Sequence, residues 1–138
     1  MKRVLLDTNT LVSTILNGNA VPAQAYKKAV EPPYHALICE QTLEELRRVF
    51  NRKFPDKIPV LERFIATMIP AIEVVPVPLD VHADENEIRD ADDRPILRAA
   101  IKSGVHILVT GDKDFLESSI TNPRIMTATQ FLIHDGSD

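Results

Sequence analysis

Val4-Leu5-Leu6-Asp7-Thr8-Asn9-Thr10 is a short apolar run that stops on an aspartate and passes into three further helix-capping residues. A buried strand that turns directly into a helix reads this way, because Asp, Thr and Asn side chains accept hydrogen bonds from the free N–H groups of a first helical turn. Near the other end, His106-Ile107-Leu108-Val109-Thr110-Gly111-Asp112 repeats the theme of an apolar run closed by an aspartate. These two stretches frame the chain as alternating strands and helices.

Between them the pattern continues. Pro22 marks the first turn of a helix that stops before Pro32-Pro33, and Leu37-Ile38-Cys39 is a short buried strand. Gln41 to Arg52 is predicted to be a helix with Leu43, Leu46, Val49 and Phe50 on one stripe. Another helix follows Pro59 and ends near Pro70, and Ile72 to Val75 is a strand closed by Pro76 and Pro78. The stretch from Asp80 to Asp93, with seven acids and one arginine, is predicted to be loop. Pro95 to Lys102 is helical with Gly104 as its C′ residue, and Val105 to Thr110 is a strand. Apolar runs around Ile125 and from Thr129 to Ile133 give a last strand and helix. Strands alternating with helices predict an α/β sandwich on a mostly parallel sheet.

Composition narrows the function classes. The 138 residues are the length of one domain, and 44% hydrophobic with 26% charged is a globular balance. The four glycines form neither GxG nor GxxxxGK, so the usual nucleotide-cradling loops are absent. GxSxG is missing, and His35, His82, His106 and His134 show no zinc spacing. No apolar stretch reaches the roughly 18 residues of a membrane span, and the N-terminus turns polar too soon for a signal peptide. The lone Cys39, in an apolar run, reads as a reduced, buried thiol of a cytoplasmic protein. A net charge of −4 does not advertise a nucleic-acid binder, although Arg47, Arg48, Arg52, Lys53, Lys57 and Arg63 concentrate basic charge in one region. That region suits RNA phosphates, an acidic partner, or plain solvation of a helix face.

The acids carry the chemistry. In an open parallel sheet, ligands bind beyond the carboxyl ends of the strands. Asp7 and Asp112 stand there, although either alone is equally a plain N-cap. Asp93 projects through the centre of the stripe formed by Ile96, Leu97, Ala100 and Ile101, where a carboxylate has no apolar partner. On the Gln41–Arg52 helix, Glu45 lies about 110° from the centre of the buried stripe and Glu44 about 150° away, so Glu45 borders the buried face. Four carboxylates on four converging segments repel one another unless they stay protonated or a cation joins them. Hard oxygens without His or Cys fit Mg²⁺ or Mn²⁺, the ions used for in-line displacement at phosphorus.

These residues resemble the PIN-domain family of metal-dependent nucleases, and most of all its prokaryotic toxin-type, VapC-like members. Val4-Leu5-Leu6-Asp7-Thr8-Asn9 is similar to the family's first strand and Asp-Thr-Asn/Ser signature. Thr42-Leu43-Glu44-Glu45-Leu46 is similar to its helical acid motif, in which the glutamate directly precedes a leucine and so falls on Glu45 rather than Glu44. Asp90-Ala91-Asp92-Asp93-Arg94-Pro95-Ile96-Leu97 resembles the third motif, with Asp93 as its acid. Leu108-Val109-Thr110-Gly111-Asp112-Lys113-Asp114-Phe115 resembles the last, with Asp112 as the acid and Asp114 as a frequent second.

The resemblance covers nearly the whole chain and implies one three-layer α/β/α domain over residues 1–138, on a parallel sheet of about five strands. It further implies an endoribonuclease dependent on Mg²⁺ or Mn²⁺, a homodimer, and inhibition by a cognate antitoxin. On this reading Asp7, Asp93 and Asp112 bind the metal, directly or through water, and Glu45 binds or orients the attacking water. Thr8, Asn9 and Thr110 are placed to hydrogen-bond those carboxylates. Two rivals remain: a phosphatase or phosphoacceptor on a similar sheet, and a PIN-like scaffold that works only through a partner. Against the phosphatase, Asn9 stands where dehalogenase-type enzymes need a second aspartate, and Asp7-Thr8 lacks the paired acids of receiver domains.

Overall fold

The structure, a computed structural model, describes residues 1–136; Ser137 and Asp138 of the expected 1–138 domain lie outside the described residues. The first strand, β1 (Lys2–Leu6), leads straight into α1 (Thr8–Leu16), with Asp7 as the only residue between them. After α2 (Val21–Ala29) come β2 (Tyr34–Cys39) and α3 (Glu40–Lys53), again with no intervening loop. Helix α4 (Ile58–Met68) precedes β3 (Glu73–Val75). The second half holds α5 (Arg94–Lys102), β4 (Ile107–Val109), α6 (Lys113–Leu116), β5 (Arg124–Met126) and α7 (Ala128–Ile133).

The five strands form one sheet in the order β3-β2-β1-β4-β5, and every pairing is parallel. Strand β1 lies at the centre, with Leu6 opposite Val109 of β4. The chain winds from β1 to one edge through β2 and β3, then returns to build the other half through β4 and β5. The crevice beyond the carboxyl ends of β1 and β4 is therefore the topological switch point of the sheet, where open α/β folds place their ligands.

Side chains alternate across the sheet and build two cores. Val4, Leu6, Ala36, Ile38, Ile107 and Val109 face Leu11, Ala25, Leu46, Phe50, Leu61 and Phe131 on one side. Leu5, Leu37, Cys39 and Leu108 face Ile96, Leu97, Ala100 and Phe115 on the other. Helices on both faces give the three-layer α/β/α sandwich, and among the described residues no helix is long and apolar enough to cross a membrane. Helix α5 ends as its sequence foretells. Gly104 takes φ +67°, its N–H reaches the Ile101 carbonyl, and the Val105 N–H reaches that of Ala100. Both bonds belong to the Schellman closure, in which a left-handed residue satisfies the last carbonyls.

Three local expectations are revised. The second strand begins at Tyr34, three residues before the Leu37 expected, because its start pairs with Lys2 of β1. Helix α3 buries Thr42, Leu46 and Phe50 fully, while Leu43 and Val49 flank them half-buried. The acidic stretch is not plain loop: Ala83–Glu87 and Ala91–Asp93 are 3₁₀ turns. Glu85 in the first turn is buried and held by the Arg98 guanidinium through both of its oxygens, at 2.9 and 3.0 Å. That pair, together with Arg98 donating to the Pro78 carbonyl at 3.0 Å, clamps the segment onto α5.

Candidate active site

Asp7 leaves the end of β1 in an extended conformation and caps α1, its Oδ1 accepting the Thr10 N–H at 2.8 Å. Its Oδ2 accepts the Thr110 hydroxyl at 2.5 Å. The same Thr110 oxygen accepts the Asp112 N–H at 3.0 Å, so one buried hydroxyl from the end of β4 ties two acids together. Asp112 caps α6 through the Asp114 N–H at 2.8 Å. Both aspartates are helix caps and rim acids at once. The capping and cleft readings, set against each other in the sequence, describe the same two side chains.

Asp93 occupies the N-cap position of α5 without making a capping bond. Its Oδ2 is buried and has no hydrogen-bond partner. On α3, Glu45 is half-buried; its Oε1 accepts the Gln41 amide at 2.7 Å and its Oε2 the Thr8 hydroxyl at 3.2 Å. Glu44, one residue earlier, is exposed.

Asp7, Thr8, Asn9, Glu45, Asp93 and Asp112 line one cleft of about 40 Å³, floored by Ile96 and Phe115. A cleft of that size exceeds the roughly 10–15 Å³ needed to hold a water-sized occupant. The four acids foreseen from sequence thus share one enclosure at the switch point. Thr8 and Thr110 bond the carboxylates they were expected to meet, whereas Asn9 is exposed and its side chain has no hydrogen-bond partner among the described residues. The histidines stay away from the cleft: His106 accepts the Arg3 N–H, His35 pairs with Glu73, and His82 caps the turn at Ala83–Glu87.

Electrostatically the cleft is unbalanced. Among the described residues none of the four acids forms an ion pair with Lys, Arg or His. Burial pushes the Asp7 carboxyl up; its hydrogen bonds from Thr10 and Thr110 work against this, and the Asp112 charge adds to the rise. Burial and the adjacent Asp112 carboxylate raise Asp93 to about 8, with Asp90 and Glu45 contributing. An orphaned carboxylate oxygen, crowded acids and hard donors fit a divalent cation.

Sequence reading assigned no position to Asp90. Its carboxylate, with those of Asp93 and Asp114, offers three oxygens within 4.8 Å of one another. Asp114 is also bound to Arg89 at 2.8 Å. The Asp90 placement depends on the 3₁₀ turn that follows it, where Oδ1 accepts the Asp92 N–H at 2.9 Å. Asp caps of that kind are visible in sequence only once the turn is known.

The family model of the PIN domain matches residues 3–114, a span that contains all four acids. The chain belongs to the PIN domain family. A relative, an uncharacterised protein of Methanocaldococcus jannaschii, is 28% identical over 116 residues, covering 83% of this chain and 73% of the relative. Among solved structures, a chain of VapBC2 from Rickettsia felis, bound to a DNA fragment from its promoter, superimposes with a TM-score of 0.67 at 19% identity, covering 91% of this chain and 98% of that one. DNA-bound VapBC from Salmonella typhimurium gives 0.67 at 22% identity, over 93% and 99%. VapC20 of Mycobacterium tuberculosis, a sarcin-ricin loop cleaving toxin, gives 0.60 at 17% identity, over 86% and 96%. The PIN fold of this chain is thus the fold found in these VapBC systems.

Proposed function

We propose that residues 1–138 form one endoribonuclease domain that depends on Mg²⁺ or Mn²⁺ and acts as the toxin of a toxin–antitoxin pair. The observation that carries this reading is the convergence of Asp7, Glu45, Asp93 and Asp112 on one small cleft, none of them ion-paired with Lys, Arg or His among the described residues. Membership of the PIN family and the VapBC structures support the toxin assignment. A cognate antitoxin and a homodimer in the cytoplasm complete the proposal.

Asp7, Asp93 and Asp112 are the residues that would hold the ion. When bound, it would supply Lewis-acid activation of water and offset negative charge on the leaving oxygen. The chain's own groups do the positioning. Thr110 fixes the Asp7 carboxylate relative to the Asp112 backbone, and the N-caps of α1 and α6 lock the rotamers of both aspartates. Glu45 is steered toward the cleft by Gln41 and Thr8, leaving lone pairs to orient water and accept its proton at a carboxylate oxygen. Ile96 and Phe115 give the cleft its apolar lining.

The test is incubation of mixed RNA with and without Mn²⁺, beside the Asp7→Asn protein. Mn²⁺-dependent cleavage that the variant lacks is the expected result. Equal cleavage by a folded Asp7→Asn protein, or none by either protein, overturns the reading.

A further inference from the structure

The basic run from Arg47 to Arg63 is not one uniform solvated face. Arg47 is committed to Glu62, at 3.0 Å, and joins α3 to α4. Arg48 points elsewhere. It lines a groove of about 480 Å³ with Gln41, Glu44, Asp92 and Pro95, and this groove shares Glu45 and Asp93 with the acid cleft.

Helical spacing offers Arg48 two acids, Glu44 four residues before it and Glu45 three before it. Neither takes it. Glu45 is turned to Gln41 and Thr8. Among the described residues the side chains of Arg48 and Arg52 have no hydrogen-bond or ion-pair partner. Arg52 follows Arg48 by four residues, so it lies one turn further along the same exposed face of α3. At about 1.5 Å per residue, Arg48 stands ~4.5 Å and Arg52 ~10 Å beyond Glu45 along the helix axis. The result is a two-step ladder of uncommitted guanidinium groups leading away from the reaction cleft.

A strand that presents a phosphate to the cleft has to leave through a groove continuous with it. Guanidinium forks suit phosphate oxygens, and contacts of this kind carry no sequence information. No aromatic side chain lines the groove, so base stacking does not contribute there. We propose that Arg48 and Arg52 bind successive backbone phosphates of single-stranded RNA flanking the cleaved bond. This rests on the ribonuclease reading and names the path of its substrate.

The test is the salt dependence of binding between the Asp7→Asn protein and a short labelled single-stranded RNA in Mg²⁺. Each phosphate contact of a single strand contributes a slope of about −0.7 in log K against log salt. Arg48→Ala with Arg52→Ala is expected to shrink the slope by about 1.4 and to weaken binding about tenfold at low salt. Lysine at both positions keeps the slope, and removing the same charge as Lys57→Ala with Arg63→Ala leaves it unchanged. An unaltered slope in the Arg48/Arg52 double variant, an equal loss in the Lys57/Arg63 control, or no RNA binding by the parent overturns the proposal. So does loss of binding to an acidic protein partner while RNA binding is intact. Wild-type cleavage assayed in parallel separates the two claims: cleavage with an unaltered slope removes only the ladder, and absence of cleavage removes the ribonuclease reading.

Discussion

The Thr110 hydroxyl donates to Asp7 Oδ2 at 2.5 Å across 103 residues of sequence, while its oxygen accepts the backbone N–H of Asp112. β1 and β4 are neighbours in the sheet, and this one side chain joins their carboxyl ends just where the acids emerge. Thr110→Val keeps the shape and deletes both bonds. Leaving the buried Asp7 acceptor unpaired costs about 1–3 kcal/mol. Divalent-ion affinity is expected to fall about 10–100-fold, the usual scale for losing a group that orients a ligand. Thermal melts and titration calorimetry on one preparation measure both; wild-type ion affinity in a destabilised variant would mean that Thr110 only holds the sheet.

Asp7→Asn separates charge from architecture. The amide oxygen still caps α1 through the Thr10 N–H, and the buried negative charge disappears. The ion-free variant is expected to melt at or above the wild-type temperature, because burial disfavours the Asp7 carboxylate. Its metal-dependent RNA cleavage is expected to drop about 100-fold or more, the scale for losing one preorganised charge-stabilising group. A melt well below wild type would show that Asp7 serves mainly as a structural cap.

The crowding around Asp93 has a pH signature. Its folded value of about 8 lies above the ordinary 3.8, so the folded state holds the proton more tightly than the unfolded chain. Stability from this group is complete below the ordinary value and is lost as pH rises through about 8. Glu73 and Glu85 act in the opposite sense: held down mainly by hydrogen bonds from Arg3 and Arg98, they lose stability only in acid. Ion-free protein is therefore expected to melt lower at alkaline than at mildly acidic pH. Asp93→Asn flattens that dependence, and Mn²⁺ abolishes it in the wild type. The same slope in Asp93→Asn as in wild type would assign it to other groups.

Lys28 supplies a prediction remote from the cleft. Its ammonium donates to the carbonyls of Phe131, Leu132 and His134 and closes the C-terminus of α7 against α2. Lys28→Met keeps the aliphatic stem and removes those bonds, for an expected loss of about 1–3 kcal/mol by denaturant unfolding. RNA cleavage at low temperature stays at the wild-type rate. A matching fall in cleavage would couple α7 to the site.

The elements of the sheet are legible in the chain because their signals are local. Leu37 and Leu108 sit in short apolar runs, and Asp7, Pro22 and Gly104 mark helix ends through backbone chemistry that each residue carries with it. The placement of Asp7 and Asp112 at one rim follows once the strands are taken as parallel, and Glu45 and Asp93 follow from helical geometry. What escaped the sequence depends on long-range register. The Glu85–Arg98 clamp links residues whose meeting requires the Ala83–Glu87 turn to lie on α5. Asp90 beside Asp114 depends on the same segment. Arg47 and Arg48 look alike in the sequence, and only the position of Glu62 on α4 tells them apart.

In the proposed function Asp7, Asp93 and Asp112 hold one divalent ion between β1, α5 and β4. Anomalous diffraction from a crystal of this protein soaked in Mn²⁺ tests it most directly. A manganese peak is expected in the cleft, about 2.1 Å from carboxylate oxygens of those residues. An empty cleft at saturating Mn²⁺, or a peak bound only by surface acids elsewhere, would contradict it.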